Sequence, residues 1–469
     1  MGWAWLVLYL GIMLLTGYAA VLSLYPRQRL PLPMTCALAC LLGPAAVGFL
    51  LFMTCIGGII PGRVPVGLIG AAALGAVAVQ RAVRTSRSPA FQPVLLSSRR
   101  SANAWLLVPV ALAVIGLLIV LGEVGFAPIQ ELDAWAIWIF KAKWIASGSL
   151  SPTPAVFTDP GFVYAHQAYP LLLPTLAAGA CGVFGSFSEH AARAVLPVLY
   201  LGLGLIVYGA LRPKLDRLPA ACCAALQLLL PSVLHYAGVG YADVMLAAFY
   251  AGNIVFAVRW LETGERRDLV VAGLFGAAGA FTKNEGLPLA LINLGVVFAM
   301  RFRHRRARSL ADAAAYLLAF VQPLGPWLIW SRRLPVGGDD FITRMSLRLV
   351  ANNARRLPEI IRGMTVEFLR YRHWGPLWVI LPAFAWIGSR AFREPAVRAV
   401  WAMLLLHAGL YAAIYLVSPN EPAYLIPSSI ERLVVHVTPA AILAIGLHWA
   451  SINGAATPSP FPTASARRD

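Results

Sequence analysis

Two carboxylates, Glu131 and Asp133, directly follow an apolar segment and precede two lysines, Lys141 and Lys143. Tryptophans lie among them, at Trp135, Trp138 and Trp144. Charges are expensive near a bilayer, so they usually mark a transport pathway or a reaction centre. Residues four apart share one face of an α-helix, which predicts a stripe of Asp133, Ile137 and Lys141. An acid, a base and indoles at a membrane surface could together hold an anionic substrate that carries a sugar.

The composition places these residues in an integral membrane protein. The chain has 469 residues, of which 59% are hydrophobic and only 12% charged, and its mean hydropathy is +0.72. Soluble domains carry about 25% charged residues. The net charge of +18 fits arginine-rich cytoplasmic loops, and no aromatic-basic nucleic-acid module is visible, so no nucleic-acid partner is expected. All six cysteines lie in apolar segments, which indicates neither a disulfide framework nor a zinc site.

Apolar segments recur along nearly the whole chain, and each is long enough, or nearly so, to cross roughly 30 Å of hydrocarbon as a helix. They lie at about 3–25, 33–58, 64–82, 104–123, 168–187, 191–211, 218–237, 241–260, 268–282, 285–301, 311–331, 374–389, 396–417 and 430–450. The first is predicted to be a transmembrane helix and not a cleaved signal peptide, because it lacks a basic start and a cleavage site. The sequence therefore predicts an all-α polytopic membrane protein of about 13–14 transmembrane or re-entrant helices.

The arginines predict an orientation. Short basic loops near 81–100, 212–217, 259–267, 301–308 and 390–398 belong in the cytoplasm by the positive-inside rule. The 131–143 stretch, Asp243, the 283–285 motif, and the 332–373 and 418–429 loops then face outward. Asp133 and Asp243 share a side only if an even number of crossings separates them. The proline- and glycine-rich 168–187 segment is the weakest helix between them, so we predict that it is re-entrant or interfacial.

The outward 332–373 loop is rich in arginine. One interpretation is a solvated amphipathic helix on the membrane surface. The other is a basic surface that attracts anionic lipid or a phosphate-linked substrate.

Four polar clusters share the outer side: the 131–143 stretch, His166 to Pro170, Gly240 to Asp243, and Thr282 to Gly286. Each has an ordinary explanation: Asp133 and Asp243 could cap helices, the lysines and tryptophans could anchor at the interface, His166 could be structural, and Lys283 could simply pair with Glu285. Their coincidence on one face favours a functional site.

Four motifs resemble those of polyprenyl-phosphate-sugar-dependent glycosyltransferases of the GT-C fold, in the protein O-mannosyltransferase and lipid A aminoarabinose transferase group. They are Glu131-Leu132-Asp133, His166-Gln167-Ala168-Tyr169-Pro170-Leu171-Leu172-Leu173-Pro174, Gly240-Tyr241-Ala242-Asp243 and Thr282-Lys283-Asn284-Glu285-Gly286. The later Ser428-Ser429-Ile430-Glu431-Arg432-Leu433 before Pro439 is also similar. The sequence departs from the family in having Gln167-Ala168-Tyr169-Pro170 where two prolines usually follow the histidine, and in three additional N-terminal segments. Unlike oligosaccharyltransferases, it shows no large soluble C-terminal domain after the helices.

The resemblance implies three regions: an N-terminal addition with a basic loop (1–103), a GT-C-like catalytic core (104–450) and a polar tail (451–469). It implies a multi-pass protein of the inner (plasma) membrane whose active site faces the periplasm or exterior. The donor would be a polyprenyl-phosphate sugar, and the acceptor an envelope glycan, lipid or protein, among membrane lipids.

The same resemblance suggests roles for individual residues in an inverting transfer, which needs a base for the acceptor hydroxyl and cations for the departing phosphate. Asp133 is the candidate base, with Glu131 as its substitute. The candidates for the donor phosphate are Lys141, Lys143, Lys283 and Arg432. The candidates for sugar contacts are His166, Tyr169, Asp243, Glu285, Trp135 and Trp138. A divalent metal is compatible with Asp243, His166 and Glu285, but metal dependence varies in this superfamily and no metal is assigned.

Two other functions fit the charges. A transporter or flippase of a lipid-linked or anionic solute would also contain intramembrane charges and broken helices. Transporters, however, need polar groups near the midplane and usually show an internal repeat, and this sequence has none that is evident. An assembly subunit without activity would be favoured if the four clusters did not converge in space.

Overall fold

The computed structural model of this chain describes residues 1–26, 30–85, 104–302, 306–335 and 347–454. Most of the arginine-rich 81–100 loop, part of the 301–308 loop, Asp339, Asp340 and Arg344 of the 332–373 loop, and the tail beyond residue 454 lie outside the described residues.

The described residues form helices and connecting segments without a β-strand, which confirms the all-α prediction. The α-helices are α1 Gly2–Leu24, α2 Leu32–Ile56, α3 Arg63–Thr85, α4 Leu107–Phe126, α5 Phe140–Gly148, α6 Leu172–Phe184, α7 Glu189–Arg193, α8 Leu196–Leu211, α9 Arg217–Leu229, α10 Pro231–Tyr236, α11 Asp243–Thr263, α12 Arg266–Thr282, α13 Gly286–Phe302, α14 Arg306–Trp330, α15 Leu347–Asn352, α16 Leu357–Phe368, α17 Tyr371–Trp374, α18 Leu377–Ile387, α19 Pro395–Val417 and α20 Pro422–Ile452. In the described part of the chain, nine helical stretches are long and apolar enough to cross a membrane, so the protein is a multi-pass membrane protein.

The weak 168–187 segment forms the short helix α6. Its 13 residues span about 20 Å, less than the roughly 30 Å of a hydrocarbon core. Leu172, its first residue, packs against Gly48 in the middle of α2, whereas Gly182 near its end packs against Pro61, beyond the end of α2. Helix α6 therefore starts inside the bundle, level with the middle of α2, and runs back toward the end of the bundle at which α2 ends. This geometry agrees with the re-entrant prediction and restores the parity that Asp133 and Asp243 require.

The short basic loops gather at one end of the bundle, which we call the basic end. Lys214, between α8 and α9, pairs with Glu262 at the end of α11. Lys214 also shares a cavity with Arg390 and Arg393, which lie between α18 and α19. The opposite end carries Asp133, the first turn of α11 and the first turns of α20, and we call it the site end. The gathering agrees with the positive-inside interpretation, and the side of the membrane on which each end lies stays a prediction.

One buried apolar core runs through the bundle and includes residues of α1 and α2 together with α8, α11 and α20. Tyr9 of α1 donates its hydroxyl to the carbonyl of Leu176 in α6 (2.9 Å). The first two helices therefore pack into the same core as the predicted catalytic region. The predicted boundary at residue 103, between the N-terminal addition and the catalytic core, does not separate two hydrophobic cores. It stays a prediction about which part of the chain corresponds to the family.

The described part of the 332–373 loop contains the amphipathic helix that was one of its two interpretations. Helix α16 buries Ile360 and Met364 against the bundle and leaves Ile361 and Val366 about half exposed. Arg356, just before α16, donates Nη2 to Oε1 of Glu421 (2.8 Å), so the loop lies over the start of α20. It therefore covers part of the site end.

Candidate active site

The stretch that follows Asp133 is a π-helical segment, Ala134–Ile139, which continues into α5. In a π-helix the hydrogen bonds run from residue i to i+5, and such segments occur often at functional sites. The i, i+4 alignment expected of an α-helix is therefore lost, and the predicted stripe of Asp133 and Lys141 does not form. Asp133 remains partly exposed at the site end, whereas the Lys141 side chain is completely buried.

Asp133 pairs with an arginine from the far end of the sequence. Arg432, near the start of α20, donates Nη1 to Oδ2 of Asp133. About a quarter of each side chain is exposed, so the pair is open to a substrate on one side. The guanidinium also lies over the ring of Tyr241, 5.5 Å from the ring centroid. Two residues that the sequence assigned to proton removal and to phosphate binding are therefore in direct contact.

A buried ionic group lies behind this pair. Asp243 at the start of α11 is fully buried, and its Oδ1 accepts a hydrogen bond from Lys283 Nζ (2.9 Å). His436, one helical turn after Arg432 on α20, places Nε2 2.9 Å from the same oxygen. Lys283 also lies 3.4 Å from Glu285. Asp243 interacts electrostatically with Arg432, which joins the buried group to the exposed pair.

Glu131 lies beside this group and has two other partners. Tyr241 donates its hydroxyl to Oε2 of Glu131 (3.4 Å), and His235 Nε2 lies 3.5 Å from Oε1. Burial, followed by the negative charge of Asp133, raises the pKa of Tyr241, so its hydroxyl stays protonated and can donate. The segment 237–242 thus brings the acid-rich 131–133 stretch next to α11.

A second cluster surrounds Lys141. Its Nζ donates to the carbonyl of His166 (2.6 Å) and lies 5.9 Å from the ring centroid of Trp138 and 5.6 Å from that of Tyr169. The rings of His166 and Tyr169 stack with centroids 4.6 Å apart. His166 has a left-handed backbone (φ 47°), and the buried ammonium supports its carbonyl there. Burial lowers the pKa of Lys141 to about 7.

The remaining predicted residues face outward. The Trp135 side chain is 58% exposed, and Lys143 places its Nζ 5.5 Å from the ring centroid of Phe187. The site therefore brings together Asp133, Arg432, Asp243, Lys283, Glu285 and Glu131, while the residues around Lys141 form the second cluster and Trp135 and Lys143 lie at the surface.

Sequence reasoning missed His436. Its position four residues after Arg432 places both on one face of α20, and a histidine inside an apolar segment is costly enough to suggest a function. Glu431 was also missed as a separate contact: it accepts from Ser232 (2.6 Å) and lies 3.7 Å from His373, which precedes α18. Among the described residues, no group of three or more histidine, cysteine or acidic side chains could hold a metal ion.

Part of this chain is similar in sequence to a known family of membrane glycosyltransferases. Residues 168–330, about a third of the chain, match the model of the dolichyl-phosphate-mannose-protein mannosyltransferase family. This segment is related to GT-C glycosyltransferases. The match confirms the resemblance seen in the motifs, covers Asp243, Lys283 and Glu285, and supports a membrane glycosyltransferase. No curated protein and no solved structure matches the chain.

Proposed function

We propose that this protein transfers a sugar from a polyprenyl-phosphate donor to an acceptor hydroxyl at the outer face of the inner (plasma) membrane. The observation that carries the proposal is the contact between Asp133 and Arg432 directly above the buried Asp243–Lys283 pair. With Asp133 as the base and Arg432 and Lys283 as the cations, this arrangement would supply the groups that an inverting transfer from a phosphate donor requires.

In this mechanism the acceptor oxygen attacks the anomeric carbon while Asp133 takes the hydroxyl proton. The bond from that carbon to the phosphate oxygen breaks, and its electron pair leaves with the prenyl phosphate. Arg432 can then hold the phosphate in a bidentate fork, with Lys283 as a second cation. Binding of the phosphate to Arg432 would release Asp133 from its ion pair, so the base becomes available when the donor is in place.

Asp243 and His436 would position Lys283 for this role. Lys283 Nζ and His436 Nε2 both contact Oδ1 of Asp243, and Oδ2 of Asp243 has no hydrogen-bond partner among the described residues. A buried acceptor without a partner is costly. Glu285, half-buried and 3.4 Å from Lys283, is the more accessible carboxylate for a hydroxyl of the donor sugar.

The second cluster would bind the sugar by stacking. The half-buried rings of His166 and Tyr169 form a continuous aromatic surface. Trp138 and Lys141 lie beneath it, so we assign Lys141 to support of this surface in preference to the donor phosphate. The exposed Trp135 and Lys143 would contact headgroups at the membrane surface. The acceptor class, an envelope glycan, lipid or protein, stays open.

Mass spectrometry of lipid that co-purifies with the protein tests the donor class. We expect a polyprenyl-phosphate sugar in the wild-type preparation, and depletion of that lipid in Arg432→Met. Incubation with labelled donor lipid and a membrane extract should then give labelled acceptor with the anomeric configuration inverted. A retained configuration would contradict the inverting mechanism.

A transporter remains the second candidate because buried polar groups also lie inside the bundle. Asn293 donates to Asn253 (2.7 Å), and Asn253 donates to Tyr316 (3.0 Å), linking α11, α13 and α14. These groups are uncharged and bonded to one another, as expected of contacts that hold membrane helices together. Reconstituted vesicles decide between the functions: translocation of fluorescent lipid without sugar transfer would favour the transporter.

A further inference from the structure

The short helix α7 carries three polar side chains that all bind the segment leading to Asp133. Glu189 Oε2 accepts from the backbone nitrogen of Ile129 (3.0 Å). His190 Nδ1 donates to the carbonyl of Val124 (2.9 Å). Arg193 donates to the carbonyl of Ala127. The end of α4 and the chain after it are therefore held at three successive points from one helix.

Arg193 also reaches the other side of the site. Its Nη1 donates to the carbonyl of Gly238 (3.2 Å), in the segment that leads to Tyr241 and Asp243. The side chain is completely buried, and its nearest acid, Glu123, is 3.9 Å away. A buried arginine requires full pairing, and the planar five-donor fork suits two carbonyls that a lysine could not bind in the same geometry.

The two segments touch at this point. Gly240 has a φ of 102°, a conformation that favours glycine. A Cβ at Gly240 would lie 3.2 Å from Cβ of Ala134 and 3.4 Å from Cδ of Arg193. Ala134 directly follows Asp133, so the distance between the proposed base and the start of α11 is set across this junction.

We propose that Glu189, His190 and Arg193, the α7 clasp, are positioning residues that fix Asp133 relative to Asp243 and Lys283. The inference rests on the proposed function and adds residues to which no role is assigned above. The clasp contacts backbone atoms of both segments and none of the proposed substrate-binding side chains. Its loss should therefore misplace the base with respect to the donor while leaving the groups that bind the phosphate intact.

Kinetics of Arg193→Lys test the clasp. Because a misplacement near 1 Å can cost about a hundredfold in rate, we expect kcat to fall about tenfold to a hundredfold, with the KM for donor lipid changed by less than about threefold. Glu189→Ala should also lower kcat, and Glu189→Gln, which keeps an acceptor oxygen for Ile129, should restore most of it. Arg63→Lys is the matched control, since Arg63 also donates to a carbonyl, that of Val183 (3.1 Å), away from the site.

Hydrogen–deuterium exchange provides a measurement that does not depend on activity. In Arg193→Lys we expect faster exchange confined to 127–133 and 237–242, with Arg63→Lys unchanged there. Faster exchange throughout the bundle would overturn the proposal, because it would show general destabilisation, and so would a kcat equal to that of the wild type. If the wild type shows no transfer while the exchange change stays local, the proposed function fails and the clasp stands.

Discussion

Arg432 donates Nη1 to Oδ2 of Asp133 across 299 positions of sequence. The contact joins α20 to the segment that follows α4, and both partners keep about a quarter of their surface exposed. Exposed ion pairs contribute little to stability. Because Asp133 and Arg432 also lie beside the buried pair of Asp243 and Lys283, their contact favours a catalytic role over a structural one.

Asp133→Asn should abolish sugar transfer without loss of folded protein. The amide cannot accept the acceptor proton, and general base catalysis contributes about 10²–10⁴-fold. Initial rates with labelled donor lipid in detergent measure the effect, and size-exclusion elution checks folding. Asp216→Asn is the matched control, since Asp216 is an exposed residue at the start of α9 with no side-chain cap bond. Transfer at the wild-type rate in Asp133→Asn would remove Asp133 as the base.

Lys283→Met should destabilise the protein through Asp243. Removing one partner of a buried pair leaves an uncompensated charge, at a cost of about 3–5 kcal/mol. The melting temperature in detergent should therefore fall in Lys283→Met and recover in part when Asp243→Asn is added, since this second change removes the buried charge that has lost its lysine. Neither variant should transfer sugar. Equal melting temperatures of the single and double variants would show that the two residues are not coupled.

We expect the stability of the folded protein to depend on pH through the buried side chain of Lys141. Burial lowers the pKa of Lys141 from 10.5 to about 7 in the folded protein, so between these values the unfolded chain binds more protons than the folded one. Stability then rises with pH over this window, by up to about 1.4 kcal/mol per pH unit for one group, and its contribution is lowest below pH 7.

Melting temperatures of the wild type and Lys141→Met from pH 6 to 9 measure this contribution. The difference in favour of Lys141→Met should be largest at pH 6 and shrink as the pH rises above 7. Lys143→Met, which changes an exposed lysine on the same helix, should parallel the wild type. A constant difference across the range would mean that the Lys141 ammonium does not lose its proton there.

The all-α membrane bundle could be predicted from sequence because the length of each apolar segment and the basic residues at its ends can be read directly. Asp133, Asp243 and Lys283 were found for a similar reason, since a charge near a membrane segment is costly enough to stand out. The contact of Asp133 with Arg432 was not derivable, because it joins residues 299 positions apart in the sequence. The resemblance had only proposed them as parts of one site.

Lys141 shows where local periodicity fails. The prediction assumed an α-helix, whereas the six residues Ala134–Ile139 form a π-helical segment whose wider turn moves Lys141 into the interior. The role of α7 was invisible for another reason. Its side chains bind backbone carbonyls and a backbone amide of other segments. Every residue type has these backbone groups, so the sequence pattern does not indicate which of them will be bound.

Topology of α6 provides the last test. If α6 is re-entrant, Ser147 before it and Ser186 after it lie on the same side of the membrane, and both are exposed. In a variant without the six native cysteines, Ser147→Cys and Ser186→Cys should react with a membrane-impermeant maleimide from the same side. Ser389→Cys, at the basic end, should react only from the opposite side. Labelling of Ser147→Cys and Ser186→Cys from opposite sides would show that α6 crosses the membrane. An odd number of crossings would then separate Asp133 from Asp243, and the two residues could not lie on the same side of the membrane.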